Sequence, residues 1–260
     1  MSWLGKFFPP NPERQLADAL SAWNAGDYGV ALDLWAPLAQ QGHPRAQSNM
    51  GAAFLEGRGV ERDHDKAAVW LRRAANQGDA GGQRNLALCY YEGWGVPQDQ
   101  VEAALWYQKA AEQDDADAQD MLSWMKLVGG GCPQDYPGAR LWAEKAARQG
   151  RAGAMARLGD IFHNALGVER DPIAAAQWWT QAAKLGHVEA QAMLGAAYLA
   201  GKGVARDPTE ALHWLLRAQA GGAGELAEGF LREARAHAKA SQRAEAERRA
   251  AGPLPWEIGP

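Results

Sequence analysis

The residues in this chain that could do chemistry are few, and each group can be tested against the geometry its chemistry requires. Ser123-Trp124-Met125-Lys126 spells S-x-x-K, the arrangement that opens penicillin-recognising serine hydrolases. Those enzymes also need S-D-N and K-T-G elements, and the chain has neither. Glu112, Asp114, Asp115, Asp117 and Asp120 form an acidic run. Carboxylates near the start of a helix at 116–128 favour its dipole, which suffices to account for the run. A docking patch for a basic partner or a loose calcium site is the alternative, without a defined ligand spacing. The histidines are scattered, without H-E-x-x-H or any metal-ligand spacing. Gly195 to Lys202 misses the phosphate-loop spacing by one residue. The expectation is therefore no catalytic residue, no metal and no cofactor.

Binding chemistry is better represented. Leu88, Tyr91, Trp124 and Leu127 are large apolar residues, accompanied by Arg84, Asn85, Asp120, Asp160 and His163 at related positions. Aromatic and aliphatic anchors beside an arginine have the composition of an interface hot spot. Asn85 has a counterpart one interval earlier, Asn49.

These residues sit in a regular framework. Trp70, Trp106, Trp142, Trp178 and Trp214 follow one another at 36 residues, as do Ala67 to Ala211, Asp63 to Asp207 and Gly59 to Gly203. A period in this range without slippage signals a helical repeat array. In the unit Ala190 to Gly222, Ala190, Leu194, Gly195, Tyr198 and Leu199 make a helix-period stripe that stops at Gly201. Asp207 then stands where a second helix wants an N-cap, with Pro208 at its first position and Glu210 in capping-box reach. Ala211, Trp214, Leu215 and Ala218 form that helix's apolar stripe, so neighbouring pairs must stack to bury it.

The motifs Leu194-Gly195-x-x-Tyr198, Leu158-Gly159-x-x-Phe162, Gly93-x-Gly95-Val96-x-x-Asp99 and Ala103-x-x-Trp106-Tyr107-x-x-Ala110-Ala111 resemble the Sel-one-like repeat family, a relative of the tetratricopeptide repeat. The resemblance covers about residues 28 to 222. It implies an all-α, right-handed α/α superhelical solenoid that holds other proteins together, usually without catalysis, in bacterial assemblies. It also implies that the first helix of each repeat lines a concave face. There the residues named above would form a groove for a peptide or helical segment of a partner protein, making the chain a scaffold or adaptor.

The organisation expected is a leader at 1–12, an N-terminal cap helix pair at 13–42, and five repeats over 43–222. A C-terminal capping and extending helix follows at 223–250, ending solvated beyond Ala234, and a tail at 251–260 carries Trp256 and Ile258. Self-association through the C-terminal helix, or a tail that occludes the chain's own groove, is the alternative reading. Net charge of −4 without a basic stripe argues against nucleic acid, and no apolar run is long enough for a membrane span. With no secretion signal, no lipoprotein cysteine and only two cysteines in all, Cys89 and Cys132, the expected location is cytoplasmic with reduced thiols. The third repeat departs most from the pattern, at Ser123, Lys126 and Gly129-Gly130-Gly131-Cys132. In the fourth, Ala165 replaces the first loop glycine.

Overall fold

The computed structural model describes residues 11–253, and the leader before them and the tail residues 254–260, Trp256 and Ile258 included, lie outside that description. Among the described residues every helix or strand assigned is an α-helix. The helices fall into two compact units, Met1–Gln134 and Asp135–Pro260.

The first unit holds α1 (Pro12–Asn24), α2 (Tyr28–Gln40), α3 (Pro44–Glu56), α4 (His64–Asn76), α5 (Ala80–Glu92), α6 (Gln100–Ala111) and α7 (Ala116–Val128), each packed on the next. The second holds α8 (Tyr136–Arg148), α9 (Ala152–Asn164), α10 (Pro172–Lys184), α11 (Val188–Ala200), α12 (Pro208–Ala220), α13 (Gly224–His237) and α14 (Ala240–Ala251).

The aspartate N-caps expected from the repeat are made, whereas Glu210, expected in capping-box reach, turns its carboxylate to Arg249 instead. Asp63, Asp99, Asp135, Asp171 and Asp207 each accept from backbone N–H groups in the first turn of the helix that follows, a contact worth about 1 kcal/mol. Alanines of the apolar stripes are buried throughout: Ala67, Ala103, Ala139, Ala175 and Ala211 have no exposed surface. With only a methyl group at these positions, neighbouring backbones can approach closely. Trp70, Trp106 and Trp142 are only partly buried. Each carries a cation over its ring from the residue three further on, Arg73 at 4.9 Å, Lys109 at 3.7 Å and Lys145 at 4.3 Å.

Ala165 closes α9 in the left-handed conformation, with φ 57° and ψ 42°, where α3, α5, α7 and α11 use glycine. A methyl-bearing residue held there is strained by about 1–2 kcal/mol. The array keeps the turn even where the residue best suited to it is missing.

The C-terminal end departs from expectation. In place of one extending helix, the chain breaks at Ala238 and Lys239, and α14 folds back onto α12. Arg249 pairs with Glu210 at 2.7 Å, Arg217 donates to the Gly252 carbonyl at 2.6 Å, and Ala246 is buried. Near Arg249 and Glu210, the His213 imidazole is buried edge-on against Trp214, with no hydrogen-bond partner for Nδ1 among the described residues. Burial, reinforced by the Arg249 charge, pushes its pKa down to about 4.

Two outcomes follow. Ala165→Gly relieves the strain but adds freedom to the unfolded chain, so it raises stability by up to about 1 kcal/mol in urea titration. His213 is held below its usual 6.5, so below that pH the unfolded chain takes up the proton first. The stability owed to neutral His213 is thus complete above pH 6.5 and is lost as pH falls towards 4. Urea titrations at pH 7 and pH 5 are expected to show the stability difference shifting in favour of His213→Leu at the lower pH; a pH-independent difference would contradict this.

Candidate partner-binding clefts

In the first unit, α3 and α5 carry Ala52, Leu55, Glu56, Asn85 and Leu88 along one cleft of about 540 Å³. The turns bring in the rest: Arg58 and Arg62 from the segment after α3, His64 from the first turn of α4, and Trp94 from the turn after α5. His64 and Trp94 stack with ring centroids 5.0 Å apart and planes 26° apart. Arg58 pairs with Glu56 at 2.9 Å and lies near the rings of Trp23 and Tyr28. Arg62 donates to the Glu56 carbonyl at 3.4 Å. The cleft thus has a mostly apolar floor and a rim whose two arginines outnumber its one carboxylate, Glu56.

One repeat further on, the equivalent positions are filled differently. Tyr91 and Trp124 stand where Leu55 and Leu88 stand, and meet edge to face with centroids 5.9 Å apart at 82°. Gly130 occupies the turn position held by Trp94, and a β-carbon there would already lie 3.8 Å from the Trp124 ring. The glycine-rich turn of the third repeat therefore leaves room for Trp124. The expected single apolar strip of Leu88, Tyr91, Trp124 and Leu127 resolves into an open cleft at Leu88 and an aromatic pair beyond it. Leu127 is half-buried on α7, its carbonyl accepting from the Gln134 amide at 2.8 Å.

Arg84 is tied within the fold. Its guanidinium donates to Asp115 at 2.8 Å and reaches Asp117 at 3.5 Å, and its Nε donates to Asn85 Oδ1 at 3.3 Å. Asp115 also caps α7 through the Ala118 N–H, so much of the acidic run is engaged internally. Asp120 is half-buried on α7. Asn49 lines a separate cleft of about 400 Å³ against α1, with Leu16 and Leu20. Ser48, Ala156 and Ala192, at repeat positions equivalent to Arg84 and Asp120, are buried.

In the second unit, His163 lines a smaller pocket of about 200 Å³ with Trp179, Met193, Lys202 and Phe230. His163 packs on the Trp179 ring at 5.1 Å. Asp160, expected as a groove ligand, instead accepts from the Trp179 indole N–H at 3.1 Å. Burial pushes its carboxyl pKa up, only partly opposed by that hydrogen bond. Asp160 is a strut that orients Trp179.

The S-x-x-K pair makes no catalytic site, because Ser123 has no exposed surface. Among the described residues, no group of three or more His, Cys, Asp or Glu side chains is placed to hold a metal ion. None of the described helices is long and apolar enough to cross a membrane.

The Sel1 repeat family profile matches residues 44–79, 80–115, 116–150, 152–187 and 188–222. The chain belongs to the Sel1 repeat family. Among solved structures, this Sel1 repeat chain is similar to a Sel1 repeat protein from Oxalobacter formigenes, at 30% identity and a TM-score of 0.76, over 85% of this chain and 96% of that one. It is also similar to c5321, a protective antigen of uropathogenic Escherichia coli with an SLR fold, at 30% identity and a TM-score of 0.77, over 93% of this chain and 53% of that one. No curated protein matches it. The repeat array is an all-α solenoid of the kind these relatives show.

Sequence reasoning missed the turn residues of this Sel1 repeat chain. Trp94 falls between the two turn glycines Gly93 and Gly95, where the other repeats have Arg58, Gly130, Leu166 and Lys202. A tryptophan at a position otherwise so variable was the signal available. Trp179 and Phe230 carried none, since both match ordinary helix stripes.

Asp160→Ala leaves the Trp179 N–H without its partner and is expected to lower stability by about 1–3 kcal/mol. Asp160→Asn keeps an acceptor without a buried charge and is expected to retain stability. Thermal melts of the two variants check this, and equal losses in both would show that the hydrogen bond is not what matters.

Proposed function

We propose that this chain is a non-catalytic adaptor that captures a segment of a partner protein in the α3–α5 cleft. Sel1 repeats generally mediate protein–protein interaction, and the cleft at Leu55, Asn85, Leu88 and Trp94 supplies this chain's own version of such a surface. The observation that carries the reading is the combination at one opening: a stacked Trp94–His64 wall, the partly exposed Leu88, and a rim with excess positive charge. A large apolar side chain fits against Trp94 and Leu88, and an adjacent carboxylate meets Arg62. The Asn85 side chain lies within reach of a bound backbone. The helices on either side are set by their own packing before any partner arrives, so less ordering entropy opposes capture.

Peptides selected on the wild-type chain from a random displayed library test this reading. Those that bind are expected to carry an apolar residue next to Asp or Glu. Fluorescence polarisation should show affinity falling about tenfold or more for Trp94→Ala, as for a hot-spot residue, and more modestly for Arg62→Glu, with helicity retained in both. Selected peptides that bind both variants as well as the wild type would overturn the assignment.

A further inference from the structure

The seat that α14 occupies on α12 recurs, uncovered, on α6. Three features hold α14 in place: Glu210 pairs with Arg249, Arg217 donates to the Gly252 carbonyl, and Ala246 is buried. The 36-residue interval gives the equivalents of Glu210 and Arg217 on the other helices of this class. They are Lys66 and Arg73 on α4, Glu102 and Lys109 on α6, Gly138 and Lys145 on α8, and Ala174 and Gln181 on α10. Of these four helices, only α6 repeats an acid and a base together.

The centre of the α6 seat is more apolar than that of α12. Leu105 replaces His213 and Val101 replaces Thr209. Leu105 is 50% exposed and Val101 57% exposed, whereas His213 is buried. Trp106 stands beside them, its indole N–H donating to Glu102 at 3.2 Å and its ring 3.7 Å from the Lys109 ammonium. The acid and the base are thus held on either side of an exposed apolar strip, oriented by the same tryptophan.

We infer that the outer face of α6 is a docking seat for a helix of α14's chemistry: alanine-rich on one face, with an arginine one turn after the buried alanine, as Arg249 follows Ala246. The arginine meets Glu102, the small face lies on Leu105 and Val101, and Lys109 reaches a carbonyl at the helix end. Charge complementarity and the α14–α12 packing both favour this occupant. Docking on α6 covers exposed leucine and valine and buries no unpartnered imidazole of the kind found under α14. Because α14 is already seated within its own chain, the helix that fills α6 belongs to a partner protein. This surface is separate from the α3–α5 cleft, and neither proposal depends on the other.

The test uses a labelled peptide of residues 239–253 with the full chain, read by fluorescence polarisation. Binding to the wild type is expected to weaken at least tenfold in Glu102→Lys and in Leu105→Asp, and to persist in Glu210→Lys. A peptide carrying Arg249→Glu should bind Glu102→Lys better than it binds the wild type. That rescue separates the seat from a folding defect. Loss of binding in Glu210→Lys alone would mean that the peptide only displaces α14 from α12, and would overturn the inference, as would no binding at all. A mass in solution that rises with wild-type concentration and stays monomeric in Glu102→Lys would place a second copy's α14 on α6, overturning the assignment to a separate partner.

Discussion

A buried glutamine amide ties one helix pair to the next, and much of the architecture depends on that contact. Gln47, Gln83, Gln119 and Gln191 are all buried, and each donates to the carbonyl eight residues earlier, near the end of the preceding helix. Ala39, Ala75, Ala111 and Ala183 each already accept from the backbone N–H three residues on, which closes the helix's last turn, and a carbonyl oxygen has a second lone pair to offer. The glutamine of the neighbouring helix bonds to that second lone pair and so satisfies its own buried amide, which would otherwise cost about 1–3 kcal/mol. The junction between pairs is thus set by direction as well as by apolar contact. Gln77 and Gln113 extend the arrangement by donating to Gln47 and Gln83 at 2.8 Å and 2.7 Å. In the fourth repeat Met155 takes the position and joins an apolar cluster instead.

The glutamines show where reading by residue type stops. Their 36-residue interval is broken only at Met155, yet polarity on a helix reads as surface unless the facing carbonyl is known. Helix starts were legible because Asp207 and its counterparts state their role locally, through an oxygen within reach of the next turn. Ala165 was legible as an exception because glycine stands at that turn in the other repeats. The partners of Arg84 were not. Asp115 and Asp117 lie one repeat further along the chain, and only stacking brings them within 3.5 Å.

The C-terminal break has the same cause. Residues 225 to 250 contain no proline, and helix-forming alanine, glutamate and arginine run through Ala238 and Lys239, so local propensity favours one continuous helix. What competes is tertiary: folding back buries Ala246 and joins Arg249 to Glu210 across 39 residues of sequence. Propensity differences of tenths of a kcal/mol per residue give way readily to contacts of that kind.

These constraints leave one position per repeat with unusual freedom. Between the two turn glycines, or Ala165 and Gly167 in the fourth repeat, stand Arg58, Trp94, Gly130, Leu166 and Lys202. The flanking residues hold the left-handed turn, so the residue between them contributes little to the backbone. Arg58 and Trp94 line the α3–α5 cleft, Lys202 lines the pocket beside Trp179, and Gly130 leaves space that Trp124 occupies. A side chain placed there changes the width and charge of a cleft without disturbing the helices that form it. In the α3–α5 cleft and the pocket beside Trp179, binding character can therefore change while the repeat that supports it stays the same.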